Sequence, residues 1–139
     1  MMNIEDKILI QELVNRFAHC SDYRDWAGME KLFTPDVVTE LEGMSMKYEG
    51  IPSQVEHARE SDVQTEGKNR HHFLNMYIEE DGGQVFAYYY FINTNAGSVP
   101  MGAKTVVTGR QRDTVVKTAD GWKISHRLVR FDQSFELNF

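Results

Sequence analysis

Apolar residues recur at three-to-five-residue steps near the start of the chain: Ile4, Ile8, Leu9, Leu13, Val14, Phe17 and Ala18 fall on one stripe of an α-helix over roughly residues 4–19. Asp25 then offers a carboxylate to uncapped backbone N–H groups. It predicts a second helix that turns Trp26, Met29, Leu32 and Phe33 inward and stops at Pro35. Residues 37–41 read as a short strand and 53–59 as a brief helix, while the polar stretch 61–69 has no apolar period and reads as a surface loop bordering a pocket.

Beyond residue 70 the pattern changes to strands, with runs at 70–79, 84–95, 104–117 and 122–131. Asp81-Gly82-Gly83 and Ala119-Asp120-Gly121 suit tight hairpins, and 96–102 suits a longer flexible loop. Helices first and hairpin-linked strands afterwards predict an α+β domain with an antiparallel meander, because parallel βαβ units need helices between strands. No repeat or linker divides the chain, so residues 1–139 are read as a single domain.

Alternation along the last strand puts Trp122, Ile124, His126, Leu128 and Arg130 on one face. Two ionisable side chains in an apolar set predict a hydrated pocket, since burying charge without partners or water is costly. On the second strand run Tyr89, Phe91, Asn93 and Asn95 share a face opposite Phe86, Tyr88, Tyr90 and Ile92. Apolar residues on both faces predict that helices cover one side and a second copy of the chain the other, giving a homodimer. On the first strand run His72 falls with Leu74, Met76 and Ile78 on the more apolar face, and His71 is read as facing solvent or an interface. One bulge in either strand would reverse these directions.

Composition narrows the function classes. A formal net charge of −6 excludes a general polyanion binder, and the run FAYYYF at 86–91 lacks the basic groove that base stacking on nucleic acid requires. The one cysteine, Cys20, excludes an intramolecular disulfide framework, reads as a packing residue and suits a reducing cytoplasm. The opening MMNIEDKILIQEL does not read as a secretory leader, and no apolar run reaches membrane-spanning length. Adjacent strand histidines point apart and no helical ligand pair occurs, so neither a metal nor another cofactor is expected.

The segment HCSDYRDWAGMEKLF at 19–33, the strand start RHHFLN at 70–75 and DGWKISHR at 120–127 together resemble the SnoaL-like group of the nuclear-transport-factor-2-like superfamily. That group includes scytalone dehydratase, the bile acid 7α-dehydratase and lindane dehydrochlorinase. The resemblance spans nearly the whole chain and implies a cystatin-like cone, a curved sheet wrapped around helices with a hollow for a hydrophobic ligand. In the dehydratase and dehydrochlorinase branches an Asp ahead of the second helix pairs with a His at a strand start, which the resemblance carries onto Asp22 and His72. An Arg near the end of the last strand matches Arg130. Asn93 stands where the bile acid branch has a carboxylate, and Asn95 where scytalone dehydratase has a second His. Ser21 and Leu41 replace the tyrosines of that enzyme, so its full set is absent.

The chemistry these residues suggest is proton transfer. Neutral His72 would remove a proton from carbon or hydroxyl, and Asp22 would orient the ring and stabilise its imidazolium. Asn93, Asn95, His126 and Arg130 would bind the substrate and hold an oxyanion or carboxylate. The expectation is a cofactor-independent, dehydratase-like lyase or isomerase for a small hydrophobic or cyclic molecule. Two alternatives share the hollow, a non-catalytic small-molecule carrier and an accessory subunit of a larger oxygenase.

Overall fold

The computed structural model describes residues 2–97 and 102–132, so most of the loop expected at 96–102 lies outside the described residues. Its elements run α1 Ile4–Asp22, α2 Trp26–Glu30, β1 Phe33–Glu42, β2 Met46–Glu49, α3 Ile51–Gln64, β3 Asn69–Asp81, β4 Gln84–Asn95, β5 Lys104–Thr118 and β6 Gly121–Phe131. The strands form one six-stranded sheet in the order β2-β1-β6-β5-β4-β3. Every neighbouring pair is antiparallel except β1 with β6, which is parallel. The curved sheet and the helices covering it make the α+β architecture that the helix-then-strand order predicts and the cystatin-like cone that the resemblance implies. No described helix is long and apolar enough to cross a membrane.

Several boundaries differ from the sequence reading for local reasons. Helix α1 starts at an Asn3 cap whose side chain accepts from the Asp6 N–H, and its buried face is Ile10, Leu13, Val14 and Ala18. Ile4, Ile8 and Leu9 of the expected stripe remain exposed. Asp25 caps α2 as expected, accepting from Gly28 N–H at 2.9 Å. The helix nevertheless stops at Glu30, and Leu32 and Phe33 are buried where β1 begins, with Pro35 in the irregular stretch before regular pairing resumes at Val38. Helix α3 runs from Ile51 to Gln64, so it takes in the first part of the stretch read as a loop, and it buries Gln54, Val55 and Ala58.

The core lies between α1, α2, α3 and the inner sheet face, with Ile10, Val14, Met29, Val37, Ala87 and Ile124 fully buried. Full burial of each large apolar side chain contributes about 1.5–3 kcal/mol, which fixes the helices on the sheet. A smaller cluster of Leu41, Phe91 and Val129 lies toward the other end. There Gly109 is required, because a Cβ at that position would collide with the Phe91 ring. Apolar packing is incomplete at this end, and a cavity remains.

Two bulges decide what lines that cavity. In β3, Leu74 pairs with Tyr90 but Tyr77 with Tyr88, so one extra residue sits between them, and Asn75 adopts φ 56°. In β6, His126 pairs with Thr114 but Ile124 with Val115, which makes Ser125 the extra residue. Each bulge reverses side-chain direction along the rest of its strand. Met76 and Ile78 point inward as the alternation suggests, while the inward residues before the β3 bulge are His71 and Phe73. Beyond the β6 bulge they are Arg127, Val129 and Phe131.

Candidate active site

Asp22 is the last residue of α1, where the unsatisfied carbonyls of a helix C-terminus disfavour a carboxylate by about 0.3–1 kcal/mol. The offset comes from β3. The Asp22 Oδ1 lies 2.7 Å from His71 Nδ1, and Oδ2 accepts the His71 main-chain N–H at 3.1 Å. A carboxylate can only accept, so Nδ1 carries a hydrogen, and in the neutral form of the ring Nε2 holds the lone pair. No partner for Nε2 occurs among the described residues. The side chains are 10% and 19% exposed, and the Phe17 and Phe73 rings meet the imidazole edge-on at centroid distances of 6.2 and 6.4 Å.

Through His71 the pair borders a cavity with an inner and an outer part. The inner chamber, ≈ 130 Å³, is walled by Phe17, Leu41, Phe73, Phe91, Val129 and Phe131. The outer part, ≈ 850 Å³, includes Met44, Met46 and Tyr48. His57, Ser61, His71 and Asn93 border both parts, so the polar groups gather where one opens into the other. Asn93 stands directly across from His71 in the β3–β4 ladder, and its buried Oδ1 has no hydrogen-bond partner among the described residues. An unpaired buried acceptor costs roughly 1–3 kcal/mol, which a ligand donor would relieve.

Beneath the chamber lies a buried polar network. Arg127 and Asp113 are cross-strand partners, 3% and 0% exposed, with Arg127 Nε donating to Asp113 Oδ1 at 3.1 Å. Tyr89 Oη donates to Asp113 Oδ2 at 2.8 Å and accepts from Arg127 Nη2 at 2.9 Å, while Gln111 Nε2 donates to Asp113 Oδ1 at 2.9 Å. The Phe17 ring lies 3.9 Å from the guanidinium carbon. Burial alone would lower the pKa of Arg127, but the Asp113 carboxylate and Tyr89 outweigh it and raise it above the ordinary arginine value. The Tyr89 hydroxyl is pushed well up, first by burial and then by Asp113.

The site therefore differs from the sequence reading at named positions. His72 is exposed, and its Nε2 lies 3.0 Å from Thr94 Oγ1, away from Asp22. His71, read as an outward residue, is the one that meets Asp22. His126 and Arg130 point to the outer face. There His126 Nε2 donates to Glu40 at 2.7 Å, and Arg130 makes a bidentate contact with Glu42 at 2.5 and 2.7 Å. These bonds hold Glu40 and Glu42 below the usual carboxylate range. Asn95 has the expected face, but its amide is engaged with Thr65 O, Asn69 Oδ1 and Gly97 N–H rather than the cavity. Asn93 does reach the cavity. Strict alternation singles out neither Arg127 nor His57. A bulge allowance at Ser125 would find the first, whereas His57 already falls in the helix read at 53–59 and only its place at the cavity is unmarked by the pattern.

A family profile described as a SnoaL-like domain matches residues 2–128. A search of curated proteins returns no match. Among solved structures, Aln2 from a Streptomyces species aligns with a TM-score of 0.84 at 23% identity, covering 95% of this chain and 94% of its own. A protein from Novosphingobium aromaticivorans, described as NTF2-like with a cystatin-like fold, aligns at 0.82 and 18% identity over 98% and 91% of the two chains. A Catenulispora acidiphila protein in complex with S-DNPA aligns at 0.72 and 26% identity over 88% and 90%.

Proposed function

For a chain that belongs to the SnoaL-like domain family, we propose a cofactor-independent lyase or isomerase of the dehydratase kind, with Asp22 and His71 as its proton-transfer pair. The single observation carrying this reading is the 2.7 Å Asp22–His71 contact at the cavity, which leaves the basic nitrogen of the ring for a ligand. In the proposed step His71 Nε2 takes a proton from carbon beside a carbonyl, the C–H electrons pass into an enolate, and Asp22 stabilises the imidazolium. Return of the proton to another carbon completes an isomerisation, and its delivery to a departing hydroxyl completes a dehydration with release of water.

The walls suit a small hydrophobic, cyclic substrate. The inner chamber, at ≈ 130 Å³, is close to the roughly 150 Å³ of a protein cavity that holds benzene. The outer part has room for the remainder of a larger molecule, and the S-DNPA complex of the Catenulispora relative supports ligand binding by this fold. The same reading places the protein in the cytoplasm, where the buried free thiol of Cys20 persists. We also take the protein to be a homodimer joined through the outer sheet face, where Tyr77 and Tyr90 remain exposed. Light scattering on an eluting peak would return the monomer mass if this is wrong.

The test of the chemistry uses α-proton exchange of 1-tetralone, an aromatic ketone, followed by proton NMR in D₂O. Wild-type protein should catalyse exchange, and His71→Ala should abolish it. His72→Ala, a surface change, should stay within about twofold of wild type. Equal exchange by wild type and His71→Ala would remove the proposal.

A further inference from the structure

His57 borders the inner and outer cavity together with His71, yet the two imidazoles come from distant parts of the fold. His57 lies on α3, which packs against β1 and β2 at one side of the sheet, whereas His71 lies on β3 at the other edge. Curvature of the sheet brings both rings to one opening.

The position of His57 is firmly built. One turn earlier, Gln54 accepts from Thr39 Oγ1 at 2.6 Å and donates to the Tyr48 carbonyl at 2.9 Å, which ties α3 to β1 and β2. Ala58 is buried against the core, and the His57 ring stacks on Tyr48 with centroids 4.1 Å apart. No hydrogen bond from the protein reaches either ring nitrogen among the described residues. Burial lowers the pKa of His57, against an opposing pull from Glu60, so the ring is neutral at pH 7 and offers one N–H donor and one acceptor.

Resting on the Asp22–His71 reading, we infer that His57 is a second catalytic residue, the donor that holds the ligand oxygen on which charge collects when His71 removes a proton from the adjacent carbon. The electron balance is simple. The C–H bond breaks, its proton goes to His71 Nε2, its electrons form the enolate, and the enolate oxygen accepts the His57 N–H without taking that proton. A neutral imidazole suits this role because it donates a hydrogen bond without importing a charge that would pair with the base. Asn93, with an acceptor as its unpaired atom, cannot supply the same donor through Oδ1.

The experiment compares 1-tetralone exchange by His57→Phe, His57→Gln and His71→Ala. Loss of one oxyanion donor predicts about 10²-fold lower kcat for His57→Phe with KM little changed, and partial recovery in His57→Gln, whose amide restores an N–H. Nitrogen NMR of the wild-type imidazoles adds a readout independent of variant folding, because 1-tetralone should move the His57 ring signal. Wild-type exchange in both His57 variants, with exchange abolished in His71→Ala, overturns the His57 role while leaving the proton-transfer reading intact. An unmoved His57 signal at saturating 1-tetralone overturns it equally. No exchange by wild type above His71→Ala removes both.

Discussion

Asp22 and His71, 49 positions apart in the chain, are joined twice by one carboxylate, at the ring Nδ1 and at the main-chain N–H. One acidic side chain thereby sets both the position of β3 and the tautomer of the imidazole. Asp22→Asn separates these jobs. Its amide preserves size and can still accept one of the two bonds, but it can also donate to Nδ1 and so move the ring hydrogen onto Nε2. That tautomer is no base toward the cavity. We expect 1-tetralone exchange to fall by about 10²–10⁴, with a far smaller change in Tm. Exchange that survives in Asp22→Asn would show that the carboxylate only anchors the strand.

Breaking the buried Arg127–Asp113 pair costs more than the intact pair contributes. Each charge has left water, and the network of Tyr89 and Gln111 satisfies the remaining positions. Arg127→Met strands the Asp113 carboxylate at 0% exposure, which costs about 3–5 kcal/mol. Replacing both, as Arg127→Met with Asp113→Leu, should recover part of that loss, because no charge is left buried although Tyr89 and Gln111 lose their acceptor. Urea denaturation of the two variants measures the difference, and equal midpoints for single and double variants would contradict the network's role.

His57 also makes a prediction about stability and pH. Its folded pKa lies below the ordinary 6.5 because burial disfavours the charged ring. As pH falls through 6.5 the unfolded chain binds the proton first, so stability decreases with falling pH, and the loss stops once the folded ring titrates. Glu40 and Glu42 contribute in a lower window. Their folded values lie below 4.5, so their stabilisation is present above 4.5 and is lost as pH falls through the folded pKa. Urea midpoints at pH 5, 6, 7 and 8 should therefore fall less steeply for His57→Gln than for wild type. Parallel curves would show that the ring is not desolvated.

Apart from β2, which the sequence reading lacks, the order of elements and most of the inner face of β4 are legible from residue pattern alone, because amphipathic period, turn residues and Asp25 capping all act locally. Phe91 and Asn93 face the cavity as alternation requires. What alternation cannot reveal is a residue that leaves the ladder. Asn75 takes a left-handed conformation that asparagine tolerates unusually well, and nothing in its neighbours announces it. That single residue exchanges His72 for His71, and Ser125 in the same way exchanges His126 and Arg130 for Arg127. The apolar residues beyond the bulge in β3 and before it in β6 keep their expected face, so each strand looks self-consistent while half of it is reversed. The expected pairing of Asp22 with a histidine survives the change from His72 to His71, because both are neighbours at the strand start.

Asn93 carries a conflict between stability and ligand binding. Its Oδ1 is buried without a partner among the described residues, beside a histidine whose ring is already engaged by Asp22. Asn93→Leu keeps the side-chain size and removes the unsatisfied acceptor, so the empty protein should gain about 1 kcal/mol. The ligand, however, loses the acceptor for its own donor. A hydroxylated ketone such as 7-hydroxy-1-tetralone should then bind about tenfold more weakly if its hydroxyl meets Asn93, while unsubstituted 1-tetralone binds as before. Calorimetric titration of both ketones into wild type and variant, alongside urea midpoints, measures the two effects separately. A variant that is both less stable and indifferent to the hydroxyl would mean that the Asn93 amide faces protein rather than ligand.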